Sequence, residues 1–321
     1  MKYFLVFIFI NKVLLFPIIN ERIVYPDEFK ELQSVESTGY QMSLLNDPNI
    51  LQSDNMTAEF LIYQDGFKNL EDGEYFQGDM VMNEEQLNTI NDTSDLSLRT
   101  GIINERFRWP KDVHGDVIVP FKISSDFDWI DRARIKLAMY DIEKYSCIVF
   151  KQQTDQQNFI NITSNIGCYS HVGKINGGQK LSLKIGGCLT RGTIIHELMH
   201  ALGFDHMQNH ADRDDFIEIL WENIKPGSEP NFEKVNSRLF GNFGTPYDYH
   251  SVMHYGLNYF SKNENPTIVS KSTSHNKVIG NRLAMSLGDA QRLNAMYKCT
   301  KKNVHLPVAV ASAIWRVFDS H

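Results

Sequence analysis

The pattern of apolar and polar residues divides the chain near residue 100. Residues 21–99 show little periodicity and many acidic and amide side chains, whereas an ordered pattern begins at Trp109. Short apolar runs, typical of strands, then occur at 117–123, 148–150, 159–162 and 181–183. Pro120 predicts an edge position for the first strand, because proline lacks the N–H that a central strand uses. We also expect 181–183 to be an edge strand close to the functional site.

Longer amphipathic segments predict helices at 128–145, 193–202 and 286–297. The last of these opens with Ser286-Leu-Gly-Asp, a capping-box-like start that satisfies the first free N–H groups of a helix. The sequence contains no internal repeats. We therefore predict an α+β fold, in which a mixed twisted sheet and two long helices precede a loop-rich C-terminal subdomain.

The chain termini predict processing rather than structure. Residues 1–20 have a lysine followed by an apolar run, which is typical of a signal peptide. Asn11 and Lys12 interrupt the run and disfavour a membrane-spanning helix. No small-x-small cleavage site is evident, so an uncleaved anchor stays an alternative. We expect residues 301–321 to form a C-terminal tail.

Composition and charge exclude some partners. The chain is 42% hydrophobic and 22% charged, which is ordinary for a globular protein. Within the net charge of −7, residues 21–99 carry 17 Asp/Glu against 4 Lys/Arg. This acidic leader could attract the mildly basic remainder or act as a solvating, partly disordered segment. No basic run is interleaved with aromatic residues, so we expect no nucleic-acid partner.

Four cysteines follow the predicted signal peptide, at positions 147, 168, 188 and 299. An even number in this context predicts two disulfides formed in an oxidising compartment. Three pairings are possible, and the cysteine positions do not choose among them. Glycosylation sequons at Asn55, Asn91 and Asn161 also fit a secreted protein.

The most informative stretch is 196–206, His-Glu-Leu-Met-His-Ala-Leu-Gly-Phe-Asp-His. His196 and His200 are four residues apart, so on a helix their imidazoles leave the same face one turn apart. Gly203 tolerates the left-handed conformation that ends helices, and a turn there brings His206 back towards the same point. Three neutral imidazoles with one open position suit a catalytic Zn²⁺. We predict one zinc ion per chain.

Glu197 can reach the same space without being a ligand. The full pattern H-E-x-x-H-x-x-G-x-x-H is the metzincin signature. An amphipathic helix with incidental histidines would have to place five specified residues at these spacings by chance. We therefore predict metal-assisted peptide hydrolysis, in which Glu197 takes the proton of the attacking water and passes it to the leaving amine.

Three stretches resemble the astacin family of secreted zinc endopeptidases. They are 167–179 (Gly-Cys-Tyr-Ser-His-Val-Gly-Lys-Ile-Asn-Gly-Gly-Gln), 196–224, and 244–256 (Gly-Thr-Pro-Tyr-Asp-Tyr-His-Ser-Val-Met-His-Tyr-Gly). The resemblance implies a metzincin-type catalytic domain at 100–300 with a Met-turn, in which Met253 forms an apolar floor beneath the histidines. It implies that Tyr255 is a zinc ligand that swings away and stabilises the oxyanion. It also implies the disulfides Cys147–Cys299 and Cys168–Cys188.

The resemblance also explains the acidic leader as a pro-segment, 21–99. Residues 75–79, Tyr-Phe-Gln-Gly-Asp, are similar to the family's pro-segment motif, whose aspartate occupies the open position on zinc. Asp79 is then the zymogen switch. By comparison with the family, cleavage between Arg99 and Thr100 by a trypsin-like protease is the expected activation step.

Two positions depart from the family's pattern. Met207 stands where a glutamate usually holds the new N-terminal ammonium group, and His250 stands where a small residue is more common. An unpaired buried charge is very costly. We therefore expect the N-terminus at Thr100 to lack a buried ion pair at Met207, unless another acid such as Asp205 takes over.

The sequence thus predicts a secreted, latent zinc metalloendopeptidase that acts on proteins or peptides after an activating protease has cleaved it. We expect a monomer whose mature form has no membrane anchor. One alternative is a catalytically inactive, zinc-binding pseudoprotease that acts as a binding module. A second alternative is a sheddase tethered to the membrane by an uncleaved N-terminus.

Overall fold

The computed structural model describes residues 5–9, 13–17, 75–91, 102, 104–235, 240–280 and 282–300. The chain forms two units, Met1–Asp54 and Asn55–His321. In the first unit, strands β1 (Leu5–Phe9) and β2 (Val13–Pro17) pair antiparallel. Outside the described residues lie half of the predicted signal peptide, the Asn55 sequon, the Arg99–Thr100 cleavage site and the 301–321 tail.

The second unit is built on a six-stranded sheet. Its strands are β3 (Met80–Val81), β4 (Val117–Ile123), β5 (Ile148–Gln152), β6 (Phe159–Thr163), β7 (Cys168–His171) and β8 (Gly178–Leu183). The spatial order is β3-β7-β8-β6-β4-β5, and only the β7–β8 pair is antiparallel in this sheet. The prediction of a mixed sheet is confirmed. Strand β3 belongs to the acidic leader.

Both predictions of edge strands are wrong. Strand β4 lies between β5 and β6, and β8 lies between β7 and β6. Pro120 is tolerated because its register partner is Lys151 of β5, while pairing with β6 begins one residue later, at Phe121. The proline therefore lies where β4 has one neighbour. At the 181–183 run, Leu181 pairs with strands on both sides, and it is fully buried.

Among the residues that the structure describes, four α-helices accompany the sheet: α1 (Glu84–Asn91), α2 (Trp129–Tyr145), α3 (Arg191–Ala201) and α4 (Leu287–Met296). The three predicted helices are confirmed as α2, α3 and α4, and the capping box of α4 forms at Ser286. Helix α1 was not predicted. It does have a sequence signature, because Asn83 and Gln86 cap each other's backbone N–H groups reciprocally at 2.8 and 2.9 Å.

The sheet, α2 and α3 enclose one apolar core, which includes Ile142 of α2, Ile160 of β6 and Leu198 of α3. The C-terminal half has a second core under short elements, including β9 (Ile217–Ile219) and β10 (Ile268–Ser270). These observations confirm the α+β architecture with a loop-rich C-terminal subdomain. Since α3 faces the first core and the loops after it face the second, the 196–206 motif lies where the two cores meet.

Two disulfides brace this arrangement. Cys147 is joined to Cys299 across a sequence separation of 152 residues, and Cys168 is joined to Cys188. This is the pairing that the family resemblance implies. The longer bridge ties the start of β5 to the segment that follows α4 and therefore closes most of the unit into one loop. None of the helices in the described part of the chain has the length and apolar character needed to cross a bilayer.

Candidate metal centre

Helix α3 carries the first two histidines into the protein interior. Thr190 caps the helix by accepting a hydrogen bond from Thr193 N–H. Gly192 permits close packing, because a Cβ there would lie 1.4 Å from the Arg282 carbonyl oxygen. The four-residue spacing then places the rings of His196 and His200 side by side, with centroids 4.5 Å apart.

The turn at Gly203 brings the third histidine to the same place. Gly203 has φ +101°, and a Cβ there would lie 2.7 Å from a side-chain carbon of Ile102. Its carbonyl accepts the Ile102 N–H at 2.8 Å. Only glycine suits both the backbone conformation and the close packing. The His206 ring therefore lies 4.8 Å from the His200 ring, centroid to centroid.

Asp79 of the leader completes a compact, buried cluster with the three histidines. Its carboxylate oxygens lie 3.1 Å from His196 Nε2, 3.2 Å from His200 Nε2 and 3.1 Å from His206 Nε2. The Nε2 atoms of His196 and His200 are 3.0 Å apart. All four candidate ligand atoms lie within 4.8 Å of one another.

The chemistry of these atoms fits a bound cation. His196 Nδ1 lies 2.9 Å from Val252 O, and His200 Nδ1 lies 2.7 Å from Phe204 O. A carbonyl oxygen can only accept, so Nδ1 carries the proton in both rings and Nε2 presents a lone pair. Lone pairs and carboxylate oxygens thus face one another, and buried Asp79 Oδ1 has no hydrogen-bond donor. A cation at their centre would satisfy them all.

The spacing fits zinc in particular. A tetrahedral Zn²⁺ with bonds of about 2.1 Å holds its ligand atoms about 3.4 Å apart, close to the separations seen here. Burial lowers the pKa of His206 to about 4, and it lowers the pKa of His196 well below its ordinary value. Burial opposes ionisation of Asp79, but the surrounding histidines hold its pKa well below the usual range. Neutral imidazoles and one carboxylate are competent zinc ligands.

The leader reaches the cluster along the edge of the sheet. Gln77 and Gly78 adopt φ of +49° and +86°, which turns the chain so that Asp79 faces the histidines. Strand β3 then pairs with β7, and Ser170 N–H donates to Asp79 O at 2.9 Å. Further on, the buried Gln86 side chain donates to Val172 O at 2.8 Å. Gln77 lies within the 75–79 motif but was given no role of its own from the sequence, and Gln86 was not singled out because an isolated glutamine carries no motif.

The two other predicted site residues lie beside the cluster. Glu197 is fully buried on α3, one residue from His196. The Tyr255 ring lies 4.5 Å from the His206 ring, and its hydroxyl donates to Gln77 O at 2.5 Å. The phenol is therefore engaged by the leader. Met253 is buried and its carbonyl accepts Met207 N–H at 2.9 Å, which ties the Met-turn to the residue after His206.

Met207, which stands where the family usually has a glutamate, lies beside a cationic side chain. Met207 is buried, and its sulfur lies 4.0 Å from the guanidinium group of buried Arg292. Asp205 instead accepts His206 N–H at 2.5 Å, and burial raises its pKa well above the ordinary value. His250 is exposed. Since Thr100 lies outside the described residues, the expected absence of a buried ion pair stays a prediction.

Comparison with known proteins agrees with this geometry. Residues 103–298 match the family model of the astacin peptidases. High choriolytic enzyme 1 of Oryzias latipes is 42% identical over 191 residues, which are 60% of this chain and 70% of that protein. Zinc metalloproteinase nas-13 of Caenorhabditis elegans is 37% identical over 228 residues, covering 70% of this chain and 50% of that protein.

A solved structure shows the same fold. High choriolytic enzyme 1 (HCE-1), a hatching enzyme zinc-protease from Oryzias latipes, matches with a TM-score of 0.59 and 40% identity, covering 63% of this chain and 99% of that chain. The three-histidine cluster on this α+β scaffold defines a metzincin-type zinc protease. The family model extends over more than half of the sequence, and the chain belongs to the astacin family of zinc metalloendopeptidases.

Proposed function

We propose that this chain is a secreted, latent endopeptidase that hydrolyses peptide bonds in protein substrates after removal of its leader. The observation that carries the proposal is the convergence of the Asp79 carboxylate on the Nε2 atoms of His196, His200 and His206. When bound there, Zn²⁺ supplies Lewis acidity that lowers the pKa of water and polarises a carbonyl group. The three histidines would hold the ion, and the Asp79 carboxylate would be its fourth protein ligand in the uncleaved chain.

The protein residues supply proton transfer and charge stabilisation. Glu197 takes the proton of the attacking water and delivers it to the leaving amine, a role that contributes roughly 10²–10⁴ in rate. Its burial on the zinc helix, at the position next to His196, supports this assignment. The Tyr255 hydroxyl donates to the oxyanion that forms on the scissile carbonyl. Gln77 O competes for that hydroxyl until the leader leaves.

Secretion and activation complete the proposal. The predicted signal peptide, the two disulfides and the similarity to a hatching enzyme support an extracellular location. A trypsin-like protease cleaves after Arg99, and the mature enzyme acts as a monomer. The inactive, zinc-binding pseudoprotease is the weaker candidate, because all three histidines, Glu197 and Tyr255 are retained.

The test compares the activated wild-type chain with Glu197→Gln. Both should contain one zinc ion, and a chelator should abolish wild-type peptide hydrolysis until Zn²⁺ is restored. Glu197→Gln should lower kcat by roughly 10²–10⁴ because no base takes the proton. Glu218→Gln, at an exposed position of β9, is the matched control and should behave as wild type. Near-normal turnover in Glu197→Gln would show that the mechanism is wrong, and zinc-loaded wild type without hydrolysis would favour the pseudoprotease.

A further inference from the structure

A chain of hydrogen bonds leads from His196 to the start of helix α4. His196 Nδ1 lies 2.9 Å from Val252 O. The N–H of the same peptide group, that of Met253, lies 3.1 Å from Ser251 Oγ. Ser251 Oγ lies 2.5 Å from Asp289 Oδ1, and Asp289 is the third residue of α4.

Every bond in this chain points in the same direction. The Val252 carbonyl can only accept, so His196 Nδ1–H donates to it. Met253 N–H can only donate, so Ser251 Oγ accepts and its hydroxyl proton is left for the Asp289 carboxylate. Hydrogen bonds aligned in this way polarise one another in a low-dielectric interior. A metal-binding histidine commonly donates its second N–H to a carboxylate or a backbone carbonyl, which fixes its tautomer and raises its basicity.

We propose that Asp289 and Ser251 are positioning residues of the metal centre, which act on His196 through the peptide group between Val252 and Met253. The inference rests on the proposed function, in that His196 is a zinc ligand. It extends the site from the histidine motif to a helix more than ninety residues further along the chain. The carboxylate holds His196 Nδ1–H in place, and His196 Nε2 gains electron density for the ion.

Asp289 is held firmly enough to serve this role. It is fully buried, and its second oxygen accepts Val252 N–H at 2.8 Å and Ser286 N–H at 3.0 Å. The guanidinium group of buried Arg292 lies 3.6 Å from Oδ1. Burial and neighbouring Asp248 raise the pKa of Asp289, whereas Arg292 and the donated hydrogen bonds favour its ionised form. The carboxylate is therefore fixed by contacts that do not pass through Ser251.

The other helix histidine lacks this connection. His200 Nδ1 lies 2.7 Å from Phe204 O, within the turn that follows its own helix. The partner of His200 Nδ1 is therefore local backbone, whereas the partner of His196 Nδ1 is a peptide group that is linked to Ser251 and Asp289. The two histidines thus provide an internal contrast for the proposal.

Two matched serine variants of the full-length chain test it. Ser251→Ala interrupts the chain of hydrogen bonds, while Asp289 keeps its bonds to Val252 and Ser286. Ser286→Ala removes a hydroxyl that accepts Asp289 N–H at 2.9 Å and donates to Asp248 Oδ2 at 2.5 Å. It therefore weakens the α4 cap but leaves every hydrogen bond between His196 and Asp289 in place. The readout is the Zn²⁺ dissociation constant, measured by competition with a chromophoric chelator. Ser251→Ala should weaken zinc binding by roughly 10- to 100-fold, and Ser286→Ala should stay within about twofold of wild type.

The outcomes separate this proposal from the proposed function. Unchanged zinc affinity in Ser251→Ala, or an equal loss in both variants, overturns the role of the hydrogen-bond chain. If Ser251→Ala does not fold, Asp289→Asn retains an oxygen for Val252 N–H and removes the negative charge. It should weaken zinc binding in the same range, and unchanged affinity there also overturns the proposal. Peptide hydrolysis is not the readout, so an activated wild-type chain, freed of its leader, that binds zinc without cleaving peptides contradicts the proposed function alone.

Discussion

Two regions of the chain meet at the metal centre, the histidine motif and the Asp79 segment of the leader, and they are held in place very differently. His196 and His200 are fully buried on a helix in the main core, and each has its Nδ1 fixed by a backbone carbonyl. Asp79 approaches from the leader, whose only described strand is two residues long. In the following helix α1, Gln86 is buried but the other side chains at 84–88 are exposed. The histidines are preorganised by a core helix and the turn after it, whereas the carboxylate is held by a short segment at the sheet edge, in which residues 77–80 are buried but most of the described side chains of the helix that follows are exposed.

This difference shows how one chain can be both stable and activatable. Opening free energies differ along a chain, and short segments at a sheet edge open at lower cost than helices in the core. Loss of the leader would remove the carboxylate and leave the three histidines in place. The Tyr255 hydroxyl likewise donates to Gln77 O of the leader, although the Tyr255 ring is buried in the second core. The proposed latent state depends on contacts that proteolysis can remove.

The largest effect should follow from removal of the Asp79 carboxylate, which the leader contributes to the metal centre. Asp79→Ala in the uncleaved chain should raise peptide hydrolysis on the order of a hundredfold over uncleaved wild type, because a tethered ligand gains roughly 10²–10⁴ over a free one. Glu84→Ala removes an exposed acid from the same leader and is the matched control, with no increase expected. Fluorogenic-peptide assays on chains shown to be intact by mass spectrometry provide the measurement. Equal, low activity in Asp79→Ala and wild type would contradict the account.

An intermediate effect should follow from truncation of Ile102, whose side chain packs against the turn at Gly203. Ile102 is fully buried against that turn, and Arg108 Nε donates to Ile102 O at 2.9 Å. Ile102→Ala should lower the free energy of unfolding by about 2–4 kcal/mol, as measured by urea denaturation.

Mature chains that begin at Leu98, Arg99 or Thr100 should differ little in melting temperature and activity, because Met207 offers no charge to an ammonium group. A sharp optimum at Thr100 would show that a buried ion pair survives.

The smallest effect concerns how the free energy of unfolding changes at acidic pH, through His254 in the Met-turn. Burial lowers the pKa of His254 to about 4, and its ring lies 2.6 Å from the Tyr247 hydroxyl and 2.8 Å from Tyr255 O. The unfolded chain, with an ordinary histidine pKa of about 6.5, binds the proton more readily. The contribution of neutral His254 to the free energy of unfolding is therefore fully present above about pH 6.5 and is lost as the pH falls towards 4. Relative to pH 7.5, wild type should lose roughly 1.4 kcal/mol more than His254→Gln at about pH 5.5. Parallel pH profiles of urea midpoints for the two proteins would contradict this assignment.

Much of the fold was predictable because local patterns coincide with global packing. The 196–206 motif specifies both a helix and a turn, and the Ser286–Asp289 capping box marks the start of α4. Edge and central strands were not distinguishable, because Pro120 is tolerated wherever one neighbouring strand is missing locally. Neighbour order in a sheet depends on contacts distant in sequence, which a hydrophobic run does not encode.

The candidate metal ligands could be predicted from the sequence, but the residues that hold those ligands in place could not. Asp79 was identified only through resemblance, since one acid among 17 in the leader carries no spacing that marks it. Ser251 and Asp289 are 38 residues apart, and their contact with His196 through a peptide group has no sequence signature. Arg292 beside Met207 was likewise invisible, because its position depends on how α4 packs. Hydrogen bonds between groups that are distant in sequence depend on the tertiary structure.

The central claim is that the leader's Asp79 carboxylate occupies the fourth position of a three-histidine zinc site. The most direct test is a crystal structure of the zinc-loaded, uncleaved chain, with the ion located by anomalous scattering. The account predicts one ion at about 2.0–2.2 Å from the Nε2 atoms of His196, His200 and His206 and from one oxygen of Asp79. An ion held by the three histidines with water in the fourth position, and with Asp79 displaced, would contradict it.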